Sequence, residues 1–322
     1  MDDLRWLEAA ARLGRRAVPL SRPNPAVGAI LVRDGLVVGR GWTGAGGRPH
    51  AEAVALDQAG DTARGATLYV TLEPCAHASP RGPACADLTA AAGLARVVVG
   101  CVDPDPRTSG AGIARLRDSG TPVDLVECPA CTASLAGYFV RARHGRPHVT
   151  LKLALSLDGC IALASGESQW ITGGAARAHA HAMRARVDAI LVGGGTQRTD
   201  QPRLDVRLPG LDGRSPARWL LTRGTPPQGW TALADPAAVH QHSELQYLLV
   251  EGGAATAAAF LRADLVDRLM IYRAPIVIGG GRTGVADIGL ADLAKAHGRW
   301  NLADRRSLGS DTLEVYERVR PS

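Results

Sequence analysis

Short aliphatic runs alternate with helix-spaced segments along this chain, and that order restricts the fold to a layered α/β sheet. Residues 3–18 carry apolar side chains at helical spacing (Leu4, Leu7, Ala11, Leu13, Ala17) until Pro23-Asn24-Pro25 breaks the pattern. AVGAILV (26–32), Asp34-Gly35 and LVVG (36–39) then read as a hairpin. A helix over 50–60 closed by Gly60 follows, then a strand over 66–72, a helix from about 86 to 92 and a strand over 95–100. The first half ends with a short helix over 112–120 and a strand over 123–127. RARHGRP (141–147) is charged, contains Gly and Pro and lacks apolar periodicity, so a domain boundary is expected there, giving units 1–145 and 146–322. The alternation restarts with the strand HVTLKLAL (148–155) and a Ser156–Gly159 turn. ITGG (171–174) precedes a helix through about Ala185. DAILVGGG (188–195) is a strand running into a glycine turn, and 208–246 is irregular. LQYLLVEGG (245–253), a helix over 254–266 and a strand from 267 with an extended continuation to 281 complete the reading.

At 322 residues the chain is long for one ordinary domain, and its 46% hydrophobic and 21% charged content exclude disorder. Aromatics are only 4%, so aliphatic side chains must build the core. The net charge of +6 is spread evenly: residues 1–146 and 147–322 each carry an excess of three positive charges. No basic run occurs, so a nucleic-acid partner is not expected, whereas a phosphorylated small molecule suits the field. The start, MDDLRWLEAA, shows no secretory signal, and no stretch of 18 apolar residues exists, so a cytoplasmic protein with no membrane contact is expected. Six cysteines in such a chain point to metal ligation or inert thiols rather than disulfides. Only two lysines occur, Lys152 and Lys295, in a chain that otherwise uses Arg.

The most specific chemistry lies in His50-Ala51-Glu52, Glu73-Pro74-Cys75 and Cys85. One imidazole and two thiolates supply three zinc ligands and leave a fourth position for water. Glu52, two residues from His50 at a helix start, reaches that water without ligating, and shuttles its proton to a departing amine. Pro74 suits the first turn of a helix, which would place Cys75 near a positive dipole end. In this order the residues form the H-x-E…P-C…C signature of zinc-dependent nucleobase deaminases. Asn24, between prolines, shapes a turn or meets substrate. His77 is a loop residue or a competing ligand. Cys128 and Cys131 form a C-x-x-C without a second pair and are read as structural; Cys101 and Cys160 are core or surface thiols.

Residues 20–130 resemble the deaminase half of the bifunctional deaminase/reductase family of riboflavin biosynthesis. NPAVGAILV (24–32), GRPHAEAVAL (47–56), ATLYVTLEPCAH (66–77) and ARVVVG followed by DPDP (103–106) carry the likeness. It implies a cytidine-deaminase-like three-layer domain, zinc on His50, Cys75 and Cys85, Glu52 as proton shuttle, and Asn24 and His77 near the substrate. The chain departs from the family in one extra residue between the cysteines, within the 78–84 loop, and in Thr43 where many members have His.

In the second half no G-x-G-x-x-G opens a helix after a strand, so the Rossmann fingerprint is absent. Glycines at strand ends, Gly193–Thr196 and Glu251–Gly253, suit phosphates or plain tight turns. Segments 150–173, 183–196, 200–207, 249–253 and 265–281 are similar to the family's reductase half. That half has a dihydrofolate-reductase-like α/β fold and binds NADPH. The resemblance implies NADPH contacts from Ala154, Trp170, Thr196 and Asp200, with Gly252 and Gly253 near its phosphates. It also implies substrate contacts from Ser168, Arg184, Leu204, Arg207 and Glu251, with Arg184 and Arg207 as phosphate clamps. Lys152 is expected beside the reacting sugar, and Asp158 is expected to shape the SLDG turn. QRTDQP (197–202) departs from the family's V-L-A-D-D-P, and 208–246 is shorter than usual.

The expected function is zinc-dependent deamination of 2,5-diamino-6-(5-phosphoribosylamino)pyrimidin-4(3H)-one, then NADPH-dependent reduction of its ribosyl chain to ribityl, by a homo-oligomer. The alternatives are a zinc deaminase of another nucleobase with a degenerate reductase domain, and a zinc-stabilised scaffold that binds riboflavin precursors.

Overall fold

The computed structural model describes residues 3–77 and 79–320. It divides into two compact units, Met1–Gly145 and Arg146–Ser322. The first runs α1 (Asp3–Gly14), β1 (Gly28–Arg33), β2 (Leu36–Trp42), α2 (Ala51–Ala59), β3 (Thr67–Val70), α3 (Cys85–Ala91), β4 (Arg96–Val99), α4 (Ala111–Asp118), β5 (Val123–Leu125), α5 (Pro129–Ser134) and α6 (Ala136–His144). Its sheet has the order β2-β1-β3-β4-β5. β1 is antiparallel to β2 and β3, while β3, β4 and β5 are parallel.

Strand period two explains the three layers. Ala29, Leu31, Leu68, Val70, Val97 and Val99 face one way and pack with α2, α3, α4 and α6. Ile30, Val32, Tyr69 and Val98 face the other way and meet α1 and α5 through Leu7, Ala10, Ala11 and Cys131. Cys128 and Cys131 are thus core thiols. Close approach of α2 to β2 depends on Gly41, where a Cβ would sit 2.2 Å from the Ala51 carbonyl oxygen. Any side chain there would displace the helix that carries Glu52.

The helix expected at Pro74 does not form. Residues 73–76 are irregular, and the next helix begins at Cys85. Instead Cys75 is tied to the start of α3: the Cys85 N–H donates to Cys75 Sγ at 3.3 Å and the Ala86 N–H to the Cys75 carbonyl at 3.1 Å.

The second unit runs β6 (His148–Leu155), β7 (Cys160–Ala162), α7 (Gly174–Arg184), β8 (Ala189–Gly193), α8 (Gly194–Asp200), β9 (Ala217–Leu221), β10 (Trp230–Leu233), β11 (Tyr247–Val250), α9 (Ala254–Arg262), β12 (Arg268–Arg273), β13 (Arg282–Thr283), β14 (Trp300–Leu308) and β15 (Asp311–Arg318). Its main sheet has the order β10-β9-β8-β11-β6-β12-β15-β14. Pairing is parallel from β10 to β12 and antiparallel thereafter. On β6, Val149, Leu151, Leu153 and Leu155 enter the aliphatic core, so Lys152 and Ala154 share the opposite face.

Three elements differ from the sequence reading. Gly194 to Asp200 is helical rather than a glycine turn. The irregular 208–246 stretch contains β9 and β10, and β14–β15 add an antiparallel edge. For the four strands, tertiary pairing overrides weak local propensity.

Arg146 and Asp267 form a buried pair at the start of β6, with Arg146 Nη1 donating to Oδ2 at 2.6 Å and Nη2 to Oδ1 at 2.8 Å. The Val149 N–H also donates to Oδ2 at 2.9 Å. Burial raises the Asp267 carboxyl, but the Arg146 bonds and charge outweigh it and hold it at about 2. The folded value lies below the unfolded one, so this stabilisation is complete above about pH 4 and is lost as pH falls towards 2. Arg146→Met is expected to destabilise the second unit by about 1–3 kcal/mol at neutral pH, because Asp267 stays buried with only Arg320 Nη2 at 3.1 Å and the Val149 N–H as partners. Urea unfolding from pH 7 to pH 3 checks both: the wild-type advantage should shrink only in acid.

Candidate functional site

In the first unit three segments converge. His50 precedes α2 as its N-cap, Cys75 follows β3, and Cys85 opens α3. His50 Nδ1 lies 3.1 Å from Cys85 Sγ and 3.6 Å from Cys75 Sγ. All three donor atoms fall within 4.8 Å of one another, the only such His/Cys/Asp/Glu group among the described residues. One imidazole and two thiols, all partly or fully buried, match the donor set of an open zinc site. The Cys75 thiol is driven down to about 3, first by the hydrogen bond from Cys85, against the cost of burial. Cys85, donating that bond, moves upward. The Cys85 thiol thus favours the thiolate form of Cys75 by hydrogen bonding, without a helix N-terminus at Cys75.

Glu52 sits in the first turn of α2 at 3% exposure. Burial pushes its carboxyl up to about 6, with opposing help from His50. Asn24 Nδ2 lies 3.3 Å from His50 Nε2 and donates to the Gly47 carbonyl at 3.1 Å. Asn24 therefore meets the far side of the His50 ring. His77 is not part of the metal group; its Nδ1 lies 3.4 Å from Thr108 Oγ1. Thr43 is buried, and its hydroxyl accepts from the Val27 N–H at 3.0 Å.

Sequence reasoning quoted Glu73 but gave it no role. Its buried carboxylate accepts four backbone N–H groups: Asp103 at 3.2 Å, Gly110 at 2.9 Å, Gly112 at 2.9 Å and Ile113 at 3.1 Å. These bonds brace the turn before Cys75 against the 103–113 segment. Gly112 is required there, since a Cβ would lie 2.0 Å from the Pro74 carbonyl oxygen. The only signal in the sequence was an acidic residue beside a ligand.

In the second unit a cleft of about 1260 Å³ opens where β6, β8, β9 and β11 end. Ligands of open α/β sheets bind at this end of the strands. All twelve reductase-half residues singled out above line it, from Lys152 to Gly253. The volume exceeds the usual ~300–1,000 Å³ of a single-ligand pocket, leaving room for a dinucleotide and a substrate together. Two helices begin at the cleft, α8 after Gly193 and α9 after Gly253, and neither has a side-chain cap. Their free N–H groups suit phosphate oxygens, which is the fit a nicotinamide dinucleotide requires. Trp170, 63% exposed, offers a flat face with the Arg177 guanidinium 4.8 Å from its centroid.

Glu251 is the electrostatic hub of the cleft. Arg184 Nε donates to Oε1 at 2.8 Å and Nη2 to Oε2 at 2.9 Å, while Lys152 Nζ lies 3.7 Å from Oε2. Burial raises the Glu251 carboxyl, but Lys152 and then Arg184 outweigh it and hold it at about 2. Arg184 Nη1 also donates to the Asp205 carbonyl at 3.1 Å. The Arg184 fork expected to clamp phosphate thus faces Glu251 instead. Arg207 is exposed, with Nε 3.3 Å from Asp205 Oδ1.

A His/Cys/Cys metal group beside a buried carboxylate is the site of a zinc-dependent deaminase, and the second unit adds a cleft large enough for a dinucleotide. Residues 1–101 match the family described as cytidine and deoxycytidylate deaminase zinc-binding region. Residues 147–229 and 237–313 match the RibD C-terminal domain. The riboflavin biosynthesis protein RibD of Escherichia coli is 35% identical over 361 residues, covering 97% of this chain and 98% of that protein. The RibD of Mycobacterium tuberculosis is 38% identical over 308 residues, covering 90% of each. Among solved structures, the Thermotoga maritima diaminohydroxyphosphoribosylaminopyrimidine deaminase/5-amino-6-(5-phosphoribosylamino)uracil reductase superposes with a TM-score of 0.88 at 29% identity. It covers 98% of this chain and 99% of that one. A form of Acinetobacter baumannii RibD gives 0.85 at 34% identity, covering 99% of both. The chain belongs to the RibD family of bifunctional riboflavin-biosynthesis enzymes. No helix among the described residues is long and apolar enough to cross a membrane.

Proposed function

We propose that residues 1–145 deaminate 2,5-diamino-6-(5-phosphoribosylamino)pyrimidin-4(3H)-one and that residues 146–322 reduce the ribosyl chain of the product to ribityl. The observation that carries this reading is the coexistence of the His50/Cys75/Cys85 group beside buried Glu52 with a separate cleft built around Lys152 and Glu251.

His50, Cys75 and Cys85 would hold zinc, which when bound would supply the Lewis acidity that makes water nucleophilic near neutral pH. Glu52 takes a proton from the attacking water and returns it to the departing nitrogen, so the carbon gains hydroxyl and loses ammonia. A carboxyl held near 6 suits both halves of that transfer. Asn24 orients the His50 ring and faces the substrate, and His77 contacts it from the loop beyond Cys75.

NADPH, when bound in the cleft, would supply the hydride that the sugar's C1′ receives. Ala154, Trp170, Thr196 and Asp200 hold the cofactor, with its phosphates at Gly252 and Gly253. Ser168, Leu204 and Arg207 hold the substrate, Arg207 taking its phosphate. Arg184 and Glu251 fix Lys152 at the reacting sugar. As the bond from C1′ to the ring oxygen breaks, Lys152 gives that oxygen its proton. The enzyme works on a small phosphorylated pyrimidine in the cytoplasm as a homo-oligomer, without nucleic acid or membrane. The even +3 on each half supports the absence of a polyanion site.

Metal removal separates the two chemistries. Treatment with a chelator is expected to abolish ammonia release while leaving NADPH oxidation with pre-deaminated substrate intact, and added zinc should restore the first. Ammonia release that survives complete zinc removal would overturn the deaminase assignment.

A further inference from the structure

The segment 204–207 crosses the reductase cleft in an unfavourable shape. Leu204 has φ +55°, which a branched-chain residue adopts only when its surroundings impose it. Each following residue has its own anchor. Asp205 O accepts from Arg184 Nη1 at 3.1 Å, and the Val206 N–H donates to Ser215 Oγ at 2.9 Å. The Arg207 N–H donates to His181 Nδ1 at 3.2 Å. His181 lies in the last turn of α7, three residues before Arg184, and lines the cleft.

His181 Nδ1 also lies 3.1 Å from Asp205 O. One nitrogen cannot serve both neighbours. As a donor it would reach the Asp205 carbonyl, which Arg184 also bonds, but would leave the Arg207 N–H facing another N–H. As an acceptor it satisfies Arg207 and leaves Asp205 to Arg184. The neutral ring with its proton on Nε2 is therefore the form that gives the Arg207 N–H an acceptor while the Asp205 carbonyl keeps its Arg184 donor. Beyond this backbone anchor, the Arg207 side chain is restrained by Asp205 Oδ1 at 3.3 Å from Nε. Asp205 also holds Arg203 at 2.9 Å.

We infer that His181 is a positioning residue of the reductase site, whose Nδ1 lone pair fixes the Arg207 backbone and so aims the guanidinium at the substrate's phosphate. The inference rests on the reductase reading above and deepens it.

The test uses the full-length enzyme with pre-deaminated substrate, following NADPH oxidation. His181→Ala is expected to raise KM for the phosphorylated pyrimidine about tenfold, with kcat within about threefold and KM for NADPH unchanged. Asn places its carbonyl oxygen close to the position of Nδ1, so His181→Asn should restore most of the lost affinity. His181→Gln, whose amide lies one bond further out, should not. A purely structural role predicts no such split between Asn and Gln. If the Ala variant fails to fold, the Asn–Gln contrast stands by itself. Unchanged KM in His181→Ala, or Asn and Gln equally impaired, overturns the inference while the reductase reading survives. A wild-type enzyme that oxidises no NADPH overturns both.

Discussion

Glu52→Gln is expected to lower ammonia release by about 10³-fold while the zinc content stays that of the wild type. The argument starts from geometry. Glu52 lies two residues beyond His50 in the first turn of α2, so it adjoins the metal group without belonging to it. Glutamine keeps the volume and one acceptor oxygen, so the packing at Gly41 and the approach of His50 to the cysteines are undisturbed. What glutamine cannot do is accept a proton from water and hand it to nitrogen. Burying an amide also avoids the desolvation that drives the carboxyl up to about 6, so the variant should be no less stable than the wild type. The measurements are ammonia release, zinc stoichiometry and the thermal midpoint on the same samples. Ammonia release above one-tenth of wild type with zinc retained would remove Glu52 from the proton path. Lost zinc would recast it as a support of the ligands.

Much of the deaminase site was legible because its parts are local. His50 and Glu52 lie within one helical turn, and the segment preceding Cys75 begins with a largely buried strand. The two sheet faces follow from period two, and Asp34-Gly35 marked the hairpin, both residues adopting positive φ. Other features depend on distant partners and left no local trace. Four backbone amides from 103–113 converge on Glu73, and only the fold brings them there. Pro74 looked like a helix start, but Cys75 lies in an irregular stretch and meets Cys85 across the site instead. Arg184 and Arg207 looked equivalent as phosphate ligands. Burial separates them: Arg184 is taken by Glu251, and Arg207 stays in solvent. Gly194-Gly195 argued against a helix on propensity, yet α8 forms and begins at the cleft. The β14–β15 hairpin, mostly polar on its outer strand, offered no clean alternation to read.

Lys152→Met is expected to lower NADPH oxidation by at least about 10²-fold and to leave ammonia release unchanged. Lys152 shares with Ala154 the face of β6 that lines the cleft, and it is one of only two lysines in the chain. Its ammonium stands 3.7 Å from Glu251 Oε2 and 5.8 Å from the Tyr272 ring centre. Methionine keeps the length and the apolar stem against Tyr272 but removes the charge and the proton. Glu251 is not stranded by the change, because Arg184 still grips both its oxygens at 2.8 and 2.9 Å. Unfolding is therefore not the expected cause of the loss, and denaturation alongside the assay checks this. Lys152→Arg decides what kind of help the lysine gives. Arginine restores a cation beside Glu251 but does not release a proton at any working pH. If the ring oxygen of the sugar takes its proton from residue 152, Arg should be as inactive as Met. If Arg recovers most of the rate, the role is electrostatic, and the proton must come from solvent or from another group in the cleft.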